Sequence, residues 1–463
     1  MTKKYVFTDW TNVEPGYGTS WLDESHPLTV PSGISLRAHR PVIENAPCLT
    51  PEMPWESDCL NGYGTLIREG DKLRLWYESF GAREGYDDME SFLCYAESLD
   101  GGKTFVRPKL GLVEFGGSKE NNILMHAHGT CVLRDPDAPA EERYKLVRVR
   151  YDPKDPNRHW CRIIGSVSPD GISFTDLPEP ILDNPSDTQN TLAIDPATGE
   201  YVLVTRQPYD YPSGRRSISM SRSRDFRHFP PAVTLVNNDP LDPPDWDYYT
   251  SGFRFWPGAE SGALMLVDMF ERVEDAFDVH LFSSSDARIW VRPCGREPWI
   301  PRGEEGEWND KMVFALNGTV DLGEGRWAVM INGTRRGHND SRAEYPWRAR
   351  GQYRLASFRE DGFLSIRAYA KGEFFTVALP CSGEKAEVNA SLPVEGYVRV
   401  GLYDPAEEKF VPGFAPEDSD PLERGKVWQT VSWRGKSDLS AFGGKKLALR
   451  FEMFKSDLYA FRF

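Results

Sequence analysis

Four acidic residues occupy corresponding places along a chain of 463 residues: Asp58, Asp187, Asp247 and Glu307. Carboxyl groups that meet in a partly desolvated space acquire different pKa values, because ionisation of one disfavours ionisation of the next. A protonated carboxylic acid beside an ionised carboxylate is what cleavage of a glycosidic bond requires. We therefore predict that these four residues are catalytic, in a site whose substrate is a carbohydrate.

Polar and aromatic residues accompany the acids within five short segments, 56–63, 119–128, 186–191, 245–250 and 307–312. Tyrosine and tryptophan offer a flat face to the C–H side of a sugar ring, and amides and imidazoles bind hydroxyl groups. We expect substrate binding from the following residues of these segments: Asn61, His128, Gln189, Asn190, Tyr249, Trp308 and Asp310.

Two histidines, His126 and His128, are spaced so that both side chains lie on the same face of a strand. A metal ion bound by histidines needs at least a third protein ligand, and the sequence shows none with a suitable spacing. We therefore predict no metal and no cofactor, and we expect His128 to bind substrate instead.

The elements that must position these residues are short strands. Apolar stretches run for only four to six residues between Gly, Asp and Pro, and the chain contains 40 Gly and 35 Pro. Typical stretches are 72–78, 201–205, 263–267 and 327–331. Such brief, interrupted apolar stretches are typical of β-strands joined by turns, so we predict an all-β fold.

A turn motif recurs along the chain, with a serine two residues before an aspartate and an aromatic residue shortly after. Its aspartates are Asp100, Asp170, Asp225 and Asp286, and a weaker fifth copy contains Asp361. The aspartate accepts hydrogen bonds from the turn backbone, and the aromatic residue begins the next strand. Each repeat holds about four strands in roughly 60 residues, as a propeller blade does.

The repeats predict a five-bladed β-propeller over residues 51–370, preceded by a wrapping segment, 1–50, and followed by a β-sandwich, 371–463. The first strand of each blade lines the central channel of a propeller, and its start opens into a funnel. The five polar segments stand at these strand starts, so the fold brings them to one axis. The whole acidic set is then expected in a single funnel.

Composition excludes several partners. Asp and Glu number 70 against 55 Lys and Arg, a formal charge of −15 with no basic tract, so we predict no nucleic acid or anionic membrane as partner. No apolar stretch is long enough for a membrane helix, and no signal peptide is recognised, so we expect a cytoplasmic protein, or a secreted one if a leader was removed. Seven dispersed cysteines predict no disulfide framework, and oligomeric state is left open.

The order of the acids resembles that of the propeller glycoside hydrolases of families 32, 43 and 68. Asp58, Asp187 and Asp247 are 129 and then 60 residues apart, and a sandwich after the propeller is the family 32 arrangement. The resemblance implies Asp58 as nucleophile or base, Asp187 as transition-state stabiliser and Asp247 as general acid. The chain also resembles bacterial proteins described as family-32-like or sialidase-like, although the family 32 motifs around the acids are absent.

These observations favour a glycoside hydrolase acting on a glycan fragment, such as a furanoside or an anhydro-sugar. Two alternatives stay open: a carbohydrate-binding propeller without catalysis, and a glycoside phosphorylase, which needs basic residues beside the acid to hold phosphate. The available arginines do not stand at first-strand starts, so a sialic acid clamp is not predicted. These arginines are Arg206, Arg215, Arg216, Arg335 and Arg336.

Overall fold

The computed structural model describes residues 2–16, 30–82, 89–151, 161–184, 186–206, 214–339 and 351–463. Across these ranges the chain forms strands and a few single 3₁₀ turns, with no α-helix, so the predicted all-β class is confirmed. The N-terminal part contributes three short strands, β1 (Lys4–Val6), β2 (Ser32–Ala38) and β3 (Val42–Ile43).

Three antiparallel sheets of four strands each follow in chain order. The first contains β4 (Cys59–Glu69), β5 (Lys72–Ala82), β6 (Met89–Ser98) and β7 (Ile123–His126). The second contains β8 (His128–Arg134), β9 (Tyr144–Tyr151), β10 (Cys161–Ser168) and β11 (Thr175–Asp176). The third contains β12 (Thr191–Ile194), β13 (Tyr201–Arg206), β14 (Ile218–Ser223) and β15 (Val233–Val236).

An eight-stranded sheet comes next, made of two groups that meet at a single parallel pair, Phe277 with Met312. The first group is β16 (Trp246–Phe255), β17 (Ala263–Glu271) and β18 (Ala276–Ser284). The second is β19 (Met312–Ala315), β20 (Val320–Gly323), β21 (Arg326–Thr334) and β22 (Gln352–Arg359). Strand β3 adds to β22, so the N-terminal part completes the last group.

The predicted turn chemistry is present at the ends of β6, β10, β14 and β18. The serine hydroxyl donates to the aspartate two residues later, over 2.7 Å from Ser98 to Asp100 and 3.0 Å from Ser284 to Asp286. Backbone N–H groups further along the turn also donate to these aspartates. The fifth copy differs, because Asp361 is fully buried and instead accepts hydrogen bonds from Lys4 and Trp256.

The first strands of successive groups contact one another in order, β4 with β8, β8 with β12, and β12 with β16. Arg254 in β16 donates to the carbonyl oxygen of Gly318, just after β19 (2.9 Å). Strand β19 then contacts β4, and Asn317 forms a parallel bridge with Thr65 in β4. The first strands therefore contact one another from β4 through β8 and β12 to β16, and β19 contacts β4.

The C-terminal part forms a nine-stranded sheet that also includes β1 and β2. Its other strands are β23 (Leu364–Phe375), β24 (Leu379–Pro380), β25 (Glu387–Ser391), β26 (Tyr397–Asp404), β27 (Lys409–Phe410), β28 (Trp428–Thr430) and the long β29 (Lys446–Arg462). Strand β29 pairs with five others, and these strands surround an apolar core that includes Phe374, Trp433 and Phe451. The predicted boundaries at residues 50 and 370 stay predictions.

All seven cysteines lie in the described ranges as free thiols. No helix of the described chain is long and apolar enough to cross a membrane. The same residues contain no group of three or more His, Cys, Asp or Glu side chains placed to hold a metal ion.

Candidate active site

A pocket of about 330 Å³ lies at the starting ends of the first strands. Five of the predicted site residues line it together: Asp58, Asn61, His128, Asp187 and Tyr249. They come from four places in the chain, namely the entry to β4, the start of β8, the loop before β12, and β16. The structure therefore brings together two of the four predicted catalytic carboxylates and three of the predicted substrate-binding residues.

Irregular pairing at the strand starts directs these side chains. The register shifts between Leu60 and Gly64 in β4, between His128 and Cys131 in β8, and between Tyr248 and Thr250 in β16. A β-bulge re-aims side chains and is common beside active sites. The bulge in β8 requires glycine, because Gly129 has a φ of 67° and a Cβ atom there would lie 2.4 Å from the Thr188 carbonyl oxygen.

Asp58 is anchored at the entry to β4. Its backbone N–H donates to the carbonyl oxygen of Phe80 over 2.9 Å, and 11% of its side chain is exposed. One carboxylate oxygen lies 3.5 Å from Nη1 of Arg336, another pocket residue. The carboxylate is thus held at the pocket wall, beside a cation.

Asp187 is the more accessible carboxylate, with 38% of its side chain exposed. It forms an ion pair with Arg206, the last residue of β13, whose own side chain is only 1% exposed. A guanidinium this deeply buried is strongly unfavourable without an anion, so the two groups depend on each other. The guanidinium carbon of Arg206 also lies 5.2 Å from the centre of the Tyr249 ring.

A buried carboxylate, Glu78, lies behind the pocket and is fully enclosed. It accepts hydrogen bonds from the Thr130 N–H (2.7 Å) and from the Asn61 amide (3.3 Å), and lies 3.1 Å from Nδ1 of His128. The other ring nitrogen of His128 is 3.0 Å from the carbonyl oxygen of Asp187. Because a carbonyl oxygen only accepts hydrogen bonds, Nε2 of His128 is the donor to Asp187, while Nδ1 faces the Glu78 carboxylate.

Tyr249 forms one wall of the pocket, and its hydroxyl lies 2.8 Å from Nε2 of His338. Burial lowers the pKa of His338, Asn339 and Asp275 oppose this, and the positive charges of Arg216 and Arg206 lower it further. A neutral His338 accepts a hydrogen bond from the Tyr249 hydroxyl, which fixes the tyrosine ring. Phe80 and Phe314 add further aromatic surface to the lining.

Asp247 lies outside this lining, although it was predicted to be the general acid. It is fully buried, and it accepts hydrogen bonds from the Arg216 backbone and guanidinium (3.0 and 2.6 Å) and two from Arg272 (both 2.8 Å). Burial alone raises the pKa of Asp247, but the hydrogen bonds from Arg272 and Arg216 outweigh it and the pKa is lowered. A carboxylate held ionised by two arginines is poorly suited to donate a proton.

Three other predicted residues, Glu307, Trp308 and Asp310, belong to a turn that is not part of the pocket lining. Glu307 is exposed and accepts the Glu304 N–H (2.9 Å), and Asp310 accepts the Gly306 N–H (2.7 Å). Trp308 stacks against the Arg354 guanidinium, whose carbon is 4.1 Å from the ring centre. These contacts hold the three residues in the turn, outside the pocket lining, and their predicted catalytic and binding roles stay predictions.

Gln189 and Asn190 are buried rather than presented to substrate. The Gln189 amide donates to the carbonyl oxygens of Gly64 (3.0 Å) and Thr130 (3.2 Å), and the Asn190 amide donates to that of Thr188 (3.0 Å). These bonds tie the loop that carries Asp187 to β4 and β8. In the structure they position Asp187, and the predicted contact with substrate stays a prediction.

Sequence reasoning missed Glu78, Arg206, Arg336 and His338 as site residues. A second strand runs antiparallel to the first, so its last residues reach the same end of the sheet where the first strand starts. Glu78 lies near the end of β5 and Arg206 ends β13, while Arg336 and His338 follow the end of β21. The ends of second strands are therefore the signal that was available in the sequence.

Comparison with solved structures returns distant likenesses to carbohydrate-active enzymes. One is an N-acetylgalactosamine deacetylase from F. plautii in complex with blood group B trisaccharide (14% identity, 71% of this chain and 96% of that chain, TM-score 0.48). Another is an α-L-arabinofuranosidase from Podospora anserina in complex with cellotriose (13%, 70% and 98%, TM-score 0.47). A third comes from the GH130 family of mannoside phosphorylases, which contains glycoside hydrolases that target β-1,2 mannosidic linkages in Candida mannan (16%, 77% and 97%, TM-score 0.40).

No protein-family model matches the chain, and a search of curated proteins found no match. Several of the similar structures are glycoside hydrolases, but the identities are low and each TM-score given above is below 0.5. The resemblance to families 32, 43 and 68 therefore stays a prediction, and function has to be argued from the pocket itself.

Proposed function

We propose that this protein is a glycoside hydrolase built on a five-bladed β-propeller with a C-terminal β-sandwich. The closed order of first strands and the pairing of β3 with β22 support the propeller. One observation carries the proposed activity: Asp58 and Asp187, predicted from sequence to be catalytic, line the same pocket beside the Tyr249 ring.

The two carboxyl groups differ in their surroundings, as glycoside cleavage requires. Asp187 forms an ion pair with the buried Arg206, which favours the ionised form suited to a nucleophile, a base or a stabiliser of positive charge at the anomeric carbon. Asp58 is the more enclosed group, and we assign it the role of general acid, which protonates the leaving oxygen of the same glycosidic bond. In this proposal the exposed part of Asp187 faces the reacting sugar.

Substrate binding in this proposal uses the remaining pocket residues. The Tyr249 ring, fixed by its contact with His338, supports the apolar face of a sugar. His128, held between Glu78 and the Asp187 backbone, keeps the loop of Asp187 in register with β8. The pocket volume of about 330 Å³ suits one or two sugar units, which favours an oligosaccharide end or a small glycan fragment.

The test is hydrolysis of a panel of nitrophenyl glycosides, arabinofuranosides included, and of plant oligosaccharides, with released sugars measured by chromatography. We expect Asp58→Asn and Asp187→Asn each to lower kcat/KM by about 10²–10⁴-fold, the range for loss of an acid, base or nucleophile. The matched control is Glu260→Gln, an exposed carboxylate paired with Lys3, which should retain activity.

Isothermal titration with the same sugars separates hydrolysis from the alternative of a carbohydrate-binding propeller. If the wild-type protein binds a sugar but cleaves none of the panel, and both aspartate variants only weaken binding, the enzyme assignment is wrong. Loss of turnover with binding retained in Asp58→Asn or Asp187→Asn supports catalysis.

A further inference from the structure

Arg336 is a pocket residue with unused hydrogen-bonding capacity. It lies two residues after β21, its backbone N–H donates to the Thr334 hydroxyl (3.1 Å), and 16% of its side chain is exposed. Its Nε is buried and has no hydrogen-bond partner among the described residues. Among the described residues its ion-pair partner is Asp58, and the distance of 3.5 Å from Nη1 of Arg336 to Oδ2 of Asp58 is long for a charged hydrogen bond.

A guanidinium presents five N–H donors in a planar fork that matches two oxygens of a carboxylate or phosphate. The side chains that line the pocket near Arg336 include Asp58, His338 and the apolar Met312. Because these surroundings are partly desolvated, an oxyanion bound to the fork gains more than it would in water. The Arg336 fork is thus suited to an anionic group of a pocket ligand.

Guanidinium groups offset the carboxylates around the pocket, although the chain as a whole carries −15. The guanidinium carbons of Arg206 and Arg216 lie 5.2 and 5.0 Å from the centre of the Tyr249 ring. Four carboxylates stand against four guanidinium groups in this region: Asp58, Glu78, Asp187 and Asp247 against Arg206, Arg216, Arg272 and Arg336. Burial lowers the pKa of His338, and the charges of Arg216 and Arg206 lower it further, against the opposing effects of Asn339 and Asp275.

We propose that Arg336 forms an oxyanion subsite beside Asp58, which binds either the carboxylate of an acidic sugar or inorganic phosphate. The proposal rests on the proposed function, since it takes the pocket as the glycan site. If the ligand is the carboxylate of an acidic sugar, the subsite selects that sugar as the substrate, and water cleaves its glycosidic bond. With phosphate, a phosphate oxygen bonds to the anomeric carbon, the glycosidic C–O bond breaks, and the leaving oxygen takes a proton from a pocket acid.

The test measures binding without turnover. Inorganic phosphate, glucuronate and uncharged glucose are titrated into the intact protein by calorimetry, for wild type, Arg336→Gln, Arg336→Lys and Arg335→Gln. Arg335 is the matched control, because it is adjacent in sequence, half exposed and paired with Asp310 outside the pocket lining. Thermal melts of all variants establish that each is folded.

We expect phosphate or glucuronate to bind wild type, and Arg336→Gln to weaken that binding by about tenfold or more. Arg336→Lys keeps the charge without the fork, so its loss should be smaller, and Arg335→Gln should stay within about twofold. If neither anion binds better than glucose, or if Arg336→Gln and Arg335→Gln behave alike, the subsite does not exist.

The two anion sources are distinguished by products. Phosphate as the ligand predicts phosphate-dependent breakdown of an oligosaccharide with release of a sugar phosphate, whereas an acidic sugar predicts phosphate-independent release of a uronic acid. Failure of the proposed function looks different from failure of the subsite. If neutral glycosides are hydrolysed while anions do not bind, the enzyme assignment stands and the subsite falls. If anions bind in a way that depends on Arg336 but no substrate is turned over, the subsite stands and the enzyme assignment falls.

Discussion

Asp268 offers a measurable link between one buried proton and the stability of the fold. It lies in β17, fully buried, and contacts the Thr250 hydroxyl and the Ala315 N–H (3.1 Å). Burial raises the pKa of Asp268 to about 8, even though both hydrogen bonds and the charge of Arg254 oppose the shift. We predict that replacing Asp268 with asparagine, which has nearly the same shape as the protonated acid, removes a pH-dependent loss of stability.

The sign follows from proton binding. Between the ordinary pKa of 3.8 and the raised value of about 8, the folded state holds a proton on Asp268 that the unfolded state has released. Stability therefore falls as pH rises through this window, by at most about 1.4 kcal/mol per pH unit for one proton. Between pH 5 and pH 7, wild type should lose up to about 3 kcal/mol through Asp268 alone.

The assay is urea unfolding of wild type and Asp268→Asn at pH 5, 6, 7 and 8. Other titrating groups affect both proteins equally, so the difference in unfolding free energy isolates the buried carboxyl. We expect the free energy of unfolding of Asp268→Asn to rise relative to that of wild type by about 1 kcal/mol for each pH unit. A difference that stays constant from pH 5 to pH 8, or that moves in favour of wild type, would refute the protonated state of Asp268.

Two further substitutions address the pocket and the N-terminal part. Glu78→Gln replaces an oxygen that accepts a hydrogen bond with an amide, so unfolding in urea should show a loss of about 1–3 kcal/mol, and nitrogen NMR should show a changed environment at Nδ1 of His128. Lys4→Ala leaves the fully buried Asp361 without its cation and should cost about 3–5 kcal/mol by thermal and urea unfolding. The exposed Lys3→Ala is its control and should change stability by less than about 1 kcal/mol, so equal effects would contradict the assigned burial.

Local chemistry explains why part of the fold was readable from the sequence. A turn such as Ser98 to Asp100 needs only residues two to four apart, and the same bonds recur in the other three copies. Short apolar stretches likewise predicted β5, β13, β17 and β21. The pairing of β3 with β22 joins residues more than 300 positions apart in the sequence, so no local pattern predicts it.

The candidate site was partly predictable for a related reason. Strand starts identified Asp58, His128 and Asp187, because the polar segments lie at equivalent positions of each repeat. Asp247 occupies a similar position, yet its partners Arg216 and Arg272 stand 31 and 25 residues away in the chain. Whether such a carboxylate is available or neutralised depends on residues of neighbouring strands, which the position of the acid does not reveal.

Carboxylates and arginines around the pocket come from fixed positions in the sheets. Carboxylates stand at or near the starts of first strands, and an arginine from the end of a second strand, or from just beyond it, lies beside them, as Arg206 does for Asp187 and Arg336 for Asp58. Antiparallel pairing places these two positions at the same end of a sheet. An acidic funnel read from first strands alone therefore overstates the negative charge of the site. In the proposed oxyanion subsite, Arg336 is such an arginine, since it lies 3.5 Å from Asp58 and its Nε has no hydrogen-bond partner among the described residues.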